Sequence, residues 1–169
     1  MSEQMNQQEA ILDMSEKEEL STVERCLTFE SGNLILYIST KHVIEILHNV
    51  SSSITTLPLV PSYIKGIINL RGQILPVVDI QMRMGKCETE YTSETCVIVL
   101  DIDSVSIGII VDSVRQVIDI DLKDVQPIPL KRQQKLLDGM VTMADGSVFM
   151  SVDCQALAQN QLQNDMGVI

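Results

Sequence analysis

Residues 64–80 read Ile64-Lys65-Gly66-Ile67-Ile68-Asn69-Leu70-Arg71-Gly72-Gln73-Ile74-Leu75-Pro76-Val77-Val78-Asp79-Ile80. Two apolar, β-branched runs flank a two-residue link that ends in glycine. Glycine at the second loop position supplies the positive φ that a tight hairpin needs. The pairing then follows: Leu70 faces Gln73, Ile68 faces Leu75 and Gly66 faces Val77. Arg71 stands at the exposed tip, and Gly72 is a structural turn residue. Pro76 has no N–H to give to a ladder, which predicts an edge strand or a bulge at that point. Ile80 to Met84 reads as a helical turn stopped by Gly85.

Moving outward, the same grammar repeats. Cys26–Glu30 and Leu34–Ile38 are strand-like runs around Ser31-Gly32-Asn33. Val43–Leu47 is extended, and simple alternation puts Val43, Glu45 and Leu47 on one face and Ile44 and Ile46 on the other. A Ser/Thr-rich loop follows, bracketed by Pro58 and Pro61. After a polar loop at 86–94, Thr95–Asp101 and Val105–Val111 form a second hairpin, and Val114–Ile120 continues extended. Residues 119–129 hold two prolines and read as irregular; Lys131–Leu137 is a candidate short helix. Gly139–Met143 and Ser147–Val152 make a third hairpin, and Asp153 is placed to cap a last helix over 154–163. With 17 Val and 20 Ile in 169 residues, short strands and frequent turns indicate an all-β barrel or sandwich with short helices.

Charge narrows the function. The formal net charge is −11, and aromatics are 3% of the chain with no Trp. Nucleic-acid binding needs clustered Lys and Arg or stacking platforms, so nucleic acid is excluded as a partner. Met1–Glu24 holds seven carboxylates against Lys17 alone and reads as an acidic N-terminal tail. It lacks a signal peptide's basic start and apolar run, and nowhere does the chain reach the roughly 18 apolar residues of a span. The expectation is a cytoplasmic protein without direct membrane insertion.

Catalytic and metal signatures are missing. Cys26, Cys87, Cys96 and Cys154 form no C-x-x-C pair; Cys26 and Cys96 sit in strand runs as small hydrophobes. His42 and His48 are the two imidazoles, and they read as structural residues sharing a strand face. No nucleophile elbow, P-loop or dinucleotide fingerprint is present. The aspartates between 101 and 124 lack the Gly and closing Glu of a calcium loop and read as turn formers and solvated strand ends. No cofactor or metal is expected.

The 64–80 hairpin closely resembles the hallmark of CheW-type chemotaxis coupling proteins. Upstream, Val43-Ile44-Glu45-Ile46 resembles that family's V-x-E-I strand. Downstream, Gly108-Ile109-Ile110-Val111-Asp112-Ser113-Val114 with Val117 resembles its G-x-x-V-D-x-V segment, and Gly139 with the strand into Asp153 matches its close. The resemblance covers about residues 22–160. It implies two SH3-like five-stranded β-barrel subdomains around a shared apolar core. The expected organisation is an acidic tail over 1–24, a CheW-like domain over 25–160 and a C-terminal tail over 161–169.

It also implies a non-enzymatic adaptor bridging chemoreceptor cytoplasmic tips to the regulatory domain of a CheA-type histidine kinase, recruited to receptor arrays at the inner face of the membrane. By resemblance, Val43, Glu45, Gly66, Arg71 and Val117 match receptor- or kinase-contact positions. Against this stand blander roles: core packing for Val43 and Val117, a backbone requirement for Gly66 and Gly72, a solvated Glu45, and an internal salt bridge from Arg71 to Asp79 or Glu45. A coupling-like module in a non-flagellar pathway, such as pilus-driven motility, is the second reading. A small-ligand, metal-binding or enzymatic use of the acidic 101–124 region is the third. The strand before Val43 lacks a glycine often seen in the family, and the closing strand over 149–154 is more polar than usual.

Overall fold

A computed structural model describes residues 22–129 and 136–159. Ten strands form in chain order: β1 Val23–Ser31, β2 Leu34–Ser39, β3 Val43–Leu47, β4 Ile64–Leu70, β5 Gln73–Asp79, β6 Cys96–Ile102, β7 Val105–Val111, β8 Ser113–Asp121, β9 Leu137–Thr142 and β10 Val148–Val152. They assemble into two five-stranded sheets, ordered β8-β1-β2-β10-β9 and β3-β6-β7-β5-β4, the two SH3-like subdomains. Most pairings are antiparallel, with β10 parallel to β2 and β5 parallel to β7.

The two orders are one order shifted by five strands. Adding five to every strand number of the first sheet, and wrapping at ten, reproduces the second. Each half of the chain therefore gives a hairpin to one barrel and a single strand plus a hairpin to the other. The shift is also visible residue by residue. Leu27↔Ile38 and Glu30↔Ile35 in β1–β2 become Ile98↔Ile109 and Asp101↔Ser106 in β6–β7, 71 residues on.

Burial parity explains the long aliphatic runs. In β6, Cys96, Ile98, Leu100 and Ile102 face a core shared by both barrels, while Val97 and Val99 face the interior of the second barrel with Ile68, Leu75, Val77 and Ile110. In β1, Leu27 and Phe29 face the shared core, and Cys26 faces the first barrel's interior with Tyr37, Ile120, Val141 and Phe149. A central strand covered on both sides has no solvent face, so alternation of polar and apolar residues disappears. Each fully buried Leu, Ile or Phe contributes about 1.5–3 kcal/mol.

The 64–80 hairpin has the expected register, with Leu70↔Gln73, Ile68↔Leu75 and Gly66↔Val77. Arg71 (φ 54) joins Gly72 (φ 85) at positive φ, the pattern of a type I′ turn. The Pro76 expectation needs correction. β5 is an internal strand, flanked by β4 and β7, and the register shift lies across the hairpin, between Ile64 and Gly66. Pro76 is tolerated because the ladder to β7 starts one residue later, at Val77.

Two other expectations change, and a third, the capped last helix, is met over the described residues. β8 runs on to Asp121 and is followed by a 3-10 turn, Leu122–Asp124, so 119–129 is more ordered than its prolines suggest. Of the candidate helix 131–137, residues 131–135 lie outside the described residues and Leu137 opens β9. The last helix is described as Cys154–Gln159. Asp153 Oδ1 does accept from Ala156 N at 3.0 Å; residues 160–163 lie outside the described residues.

Candidate functional site

β3 carries the first site residues, and a bulge decides how it shows them. Val43 pairs Leu100, but Glu45 pairs Val99, leaving Ile44 as an extra residue. An inserted residue flips the faces beyond it. Val43 and Ile46 therefore both pack on the shared core, Leu47 packs toward the second barrel's interior, and Ile44 stands 51% exposed. The plain alternation expected for 43–47 is corrected accordingly. The histidines do not share a strand face either. His42 ends a 3-10 turn with Nδ1 3.3 Å from the Asp101 carbonyl, and His48 lies beyond β3.

Glu45 sits opposite Val99, in the middle of β3 at one end of the second sheet's strand order. Its Oε2 is screened from water without a hydrogen bond, and Arg71 Nη2 lies 3.5 Å away as an ion-pair partner. The structure thus joins two predicted site residues from β3 and the β4–β5 tip. The internal salt bridge weighed for Arg71 is to Glu45, not Asp79. Asp79 is buried and accepts from Gln81 N, Met82 N and the Tyr91 hydroxyl. The arginine side chain stays 81% exposed, with donors free for a further acceptor.

Gly66 and Gly72 serve the backbone. Gly66 has φ +146, and a Cβ there would stand 2.0 Å from the Thr55 carbonyl oxygen; that close approach accompanies the Thr55–Ile67 bridge, which borders β4. Gly72 turns the tip with its N–H donated to Asn69 Oδ1 at 3.0 Å.

Val117 comes from β8, the counterpart of β3. It pairs Leu27 and is 50% exposed. Ile44, Val117 and Ile74 (63% exposed) are half-open or more in strands whose other aliphatics are buried or half-buried. Ile44 and Ile74 escaped the sequence reading, since no residue type announces a bulge or marks which strand of a hairpin stays uncovered.

The acidic 101–124 region holds turns together. Asp101 accepts from Ser104 N, Asp112 from Gly32 N and Asp121 from Lys123 N. Among the described residues no three His, Cys, Asp or Glu side chains converge as metal ligands. Cys26 and Cys96 are buried and the four thiols are free. Burial, then the charges of Glu24 and Asp119, pushes the Cys26 thiol up to about 11. Burial, then Asp138, Asp153 and Glu24, pushes Cys154 up to about 12. Such thiols hold their protons at neutral pH and are poor nucleophiles. No helix among the described residues is long and apolar enough to cross a membrane.

Comparison with known proteins adds three findings. The family described as the CheW-like domain matches residues 25–162. The chain is similar to the chemotaxis protein CheW of Rhizobium meliloti (strain 1021), 39% identical over 75 residues, covering 44% of this chain and 48% of that protein. It is also similar to protein FrzA of Myxococcus xanthus, 32% identical over 102 residues, covering 60% and 62%. The matched segments span about half to three fifths of these relatives' lengths. Among solved structures, the scaffolding protein TtCheW from Thermoanaerobacter tengcongensis superposes with a TM-score of 0.70 at 28% identity, covering 77% of this chain and 88% of that one.

Proposed function

The chain belongs to the CheW-like family, and on that premise we propose that it is a non-enzymatic adaptor that couples chemoreceptor cytoplasmic tips to the regulatory domain of a CheA-type histidine kinase. The folded module is taken as residues 25–160, with 1–24 and 161–169 as flanking tails. The working place is the cytoplasm, beneath receptor arrays.

The observation that carries the reading is the meeting of Glu45 of β3 and the exposed Arg71 of the β4–β5 tip. Arg71 occupies a left-handed backbone conformation, which costs a non-glycine residue about 1–2 kcal/mol. The ion pair it makes has a largely exposed arginine and contributes about 0–1 kcal/mol. Folding alone gives little reason for arginine at this tip; a partner carboxylate or carbonyl that takes up its free donors does. Val43, Ile44 and Val117 offer aliphatic surface, while the charge pair sets register. Gly66 contributes by holding β4 against Thr55.

The test is titration of the purified full chain with a CheA-type regulatory domain and, separately, with a receptor-tip fragment. Arg71→Glu weakens at least one of them about tenfold or more. No binding of the native chain to either at high micromolar concentration rejects the adaptor reading. The match to FrzA, beside those to CheW proteins, supports as a second reading an adaptor in a chemosensory pathway other than flagellar swimming. Partners captured from the source cell separate the two.

A further inference from the structure

We infer that Thr28 is a positioning residue that sets Val117 on the partner-facing rim of the shared core, by holding a bulge in β8. The inference rests on the adaptor reading, in which Val117 is a contact.

Val114 and Val117 are three residues apart. A regular strand would place them on opposite faces. Here Val114 pairs Phe29 and Val117 pairs Leu27, and both partners face the shared core. Directly paired side chains lie on the same face, so Val114 and Val117 both point to the shared-core side. Arg115 and Gln116 together stand opposite Thr28 alone, and this extra residue is what restores the face.

A bulge removes ladder partners from its backbone. Thr28 replaces them. Its Oγ1 donates to the Gln116 carbonyl oxygen at 2.7 Å and accepts from Gln116 N–H at 3.2 Å. Thr28 itself is buried, at 1% exposure, so one hydroxyl serves both groups of one residue from inside the sheet.

The equivalent bulge in β3 provides the control. There the residue 71 positions after Thr28 is Val99, and Glu45, the counterpart of Gln116, pairs it by ordinary ladder register. Ile46, the counterpart of Val117, packs on the shared core, whereas Val117 stays 50% exposed. The hydroxyl therefore accompanies the copy whose aliphatic is left open for a partner.

The experiment compares the native full chain with Thr28→Val, Thr28→Ser, Val117→Ala and the Thr28→Val/Val117→Ala double variant. Each is titrated with a receptor-tip fragment and with a CheA-type regulatory domain. Thr28→Val, which keeps shape and loses the hydroxyl, is expected to weaken the interaction that Val117→Ala weakens, by about five- to tenfold. Thr28→Ser stays within about twofold of native, and the double variant is no weaker than the weaker single one. Equal binding by Thr28→Val and native chain, or fully additive losses, overturns the positioning role. If Val117→Ala leaves both affinities unchanged, the contact role of Val117 falls instead, which is the failure of the underlying reading. Should Thr28→Val not fold, amide exchange in the native chain decides. Gln116 N–H protected relative to Arg115 N–H supports the inference, and equally fast exchange of the two overturns it.

Discussion

Residues 26–47 and 97–118 build the same unit, a hairpin followed by a bulged strand that crosses to the other barrel. Their core positions match closely: Leu27 and Ile98, Phe29 and Leu100, Leu36 and Ile107, Ile38 and Ile109 all face the shared core. Their outer positions do not. Glu45 becomes Gln116, bulged Ile44 becomes Arg115, and core-packed Ile46 becomes half-exposed Val117. The two-residue Arg71-Gly72 tip corresponds to a longer link between Thr142 and Val148 that holds Asp145. Both copies keep what builds the double barrel, Val43 with Val114 and Gly66 with Gly139 included, whereas Glu45, Arg71 and Val117 lie where the copies diverge.

The comparison can be broken hardest at two glycines in equivalent outer hairpins, Gly66 in β4 and Gly139 in β9. An added Cβ at Gly66 meets backbone, 2.0 Å from the Thr55 carbonyl oxygen, at φ +146. At Gly139 it meets the side chain of Val125 at 2.7 Å, which can rotate or shift. Gly66→Ala is expected to lose about 3 kcal/mol or more, and Gly139→Ala about 1–2 kcal/mol. Urea unfolding of both variants checks the order. Equal losses would mean that the two hairpins are held alike.

A smaller effect comes from the equivalent aspartates at the ends of β5 and β10, Asp79 closing β5 and Asp153 following β10. Asp79 is buried and accepts from two backbone N–H groups and from Tyr91, whose own proton is held more tightly by burial and by Asp79's charge. Asp153 accepts from Ala156 N and is only partly buried. Asp79→Ala strands several polar groups and is expected to cost about 2–3 kcal/mol. Asp153→Ala removes a cap and costs about 1 kcal/mol. Tyr91→Phe sharpens the contrast, since it removes the side-chain partner alone and leaves the two backbone bonds to Asp79.

How far these features were legible follows from locality. The β4–β5 register could be read because a two-residue turn with Gly72 fixes every pairing beyond it. The β6–β7 hairpin was legible in outline, but its turn was not: the sequence reading starts the link at Ile102, whereas Ile102 pairs Val105 and the turn is Asp103-Ser104, both at positive φ without a glycine to announce it. The faces of β3 were misread because one extra residue, Ile44, reverses parity and carries no compositional mark. The interior place of β5 was hidden because its second neighbour, β7, pairs from about thirty residues away. The repeat at 71 residues escaped because the copies share burial parity rather than identity: Thr28 answers to Val99 and Glu45 to Gln116. At the site, Arg71 and Glu45 were found by resemblance, and their ion pair was one of two partners weighed for Arg71. Which of the two partners Arg71 meets needed the tertiary structure.

The gentlest perturbation is reversal of that ion pair, and it separates stability from recognition. Arg71 is 81% exposed and Glu45 29% exposed at the side chain, so breaking the pair is expected to cost about 1 kcal/mol or less of stability. Glu45→Arg with Arg71→Glu restores an opposite-charge pair, and its unfolding midpoint should return toward the native value. Binding should behave differently. If the exposed guanidinium fork at the Arg71 tip meets a partner's acceptor, the restored pair with reversed polarity still presents a carboxylate there, and affinity stays about tenfold down. Asp145→Lys at the equivalent tip, a charge reversal where no partner contact is assigned, serves as the control and should leave affinity within about twofold. Recovery of both stability and affinity in the swapped variant would mean that the pair acts only as a strut between β3 and the β4–β5 turn, with its polarity irrelevant to the partner. Recovery of stability alone would assign the direction of charge at the β4–β5 tip to recognition.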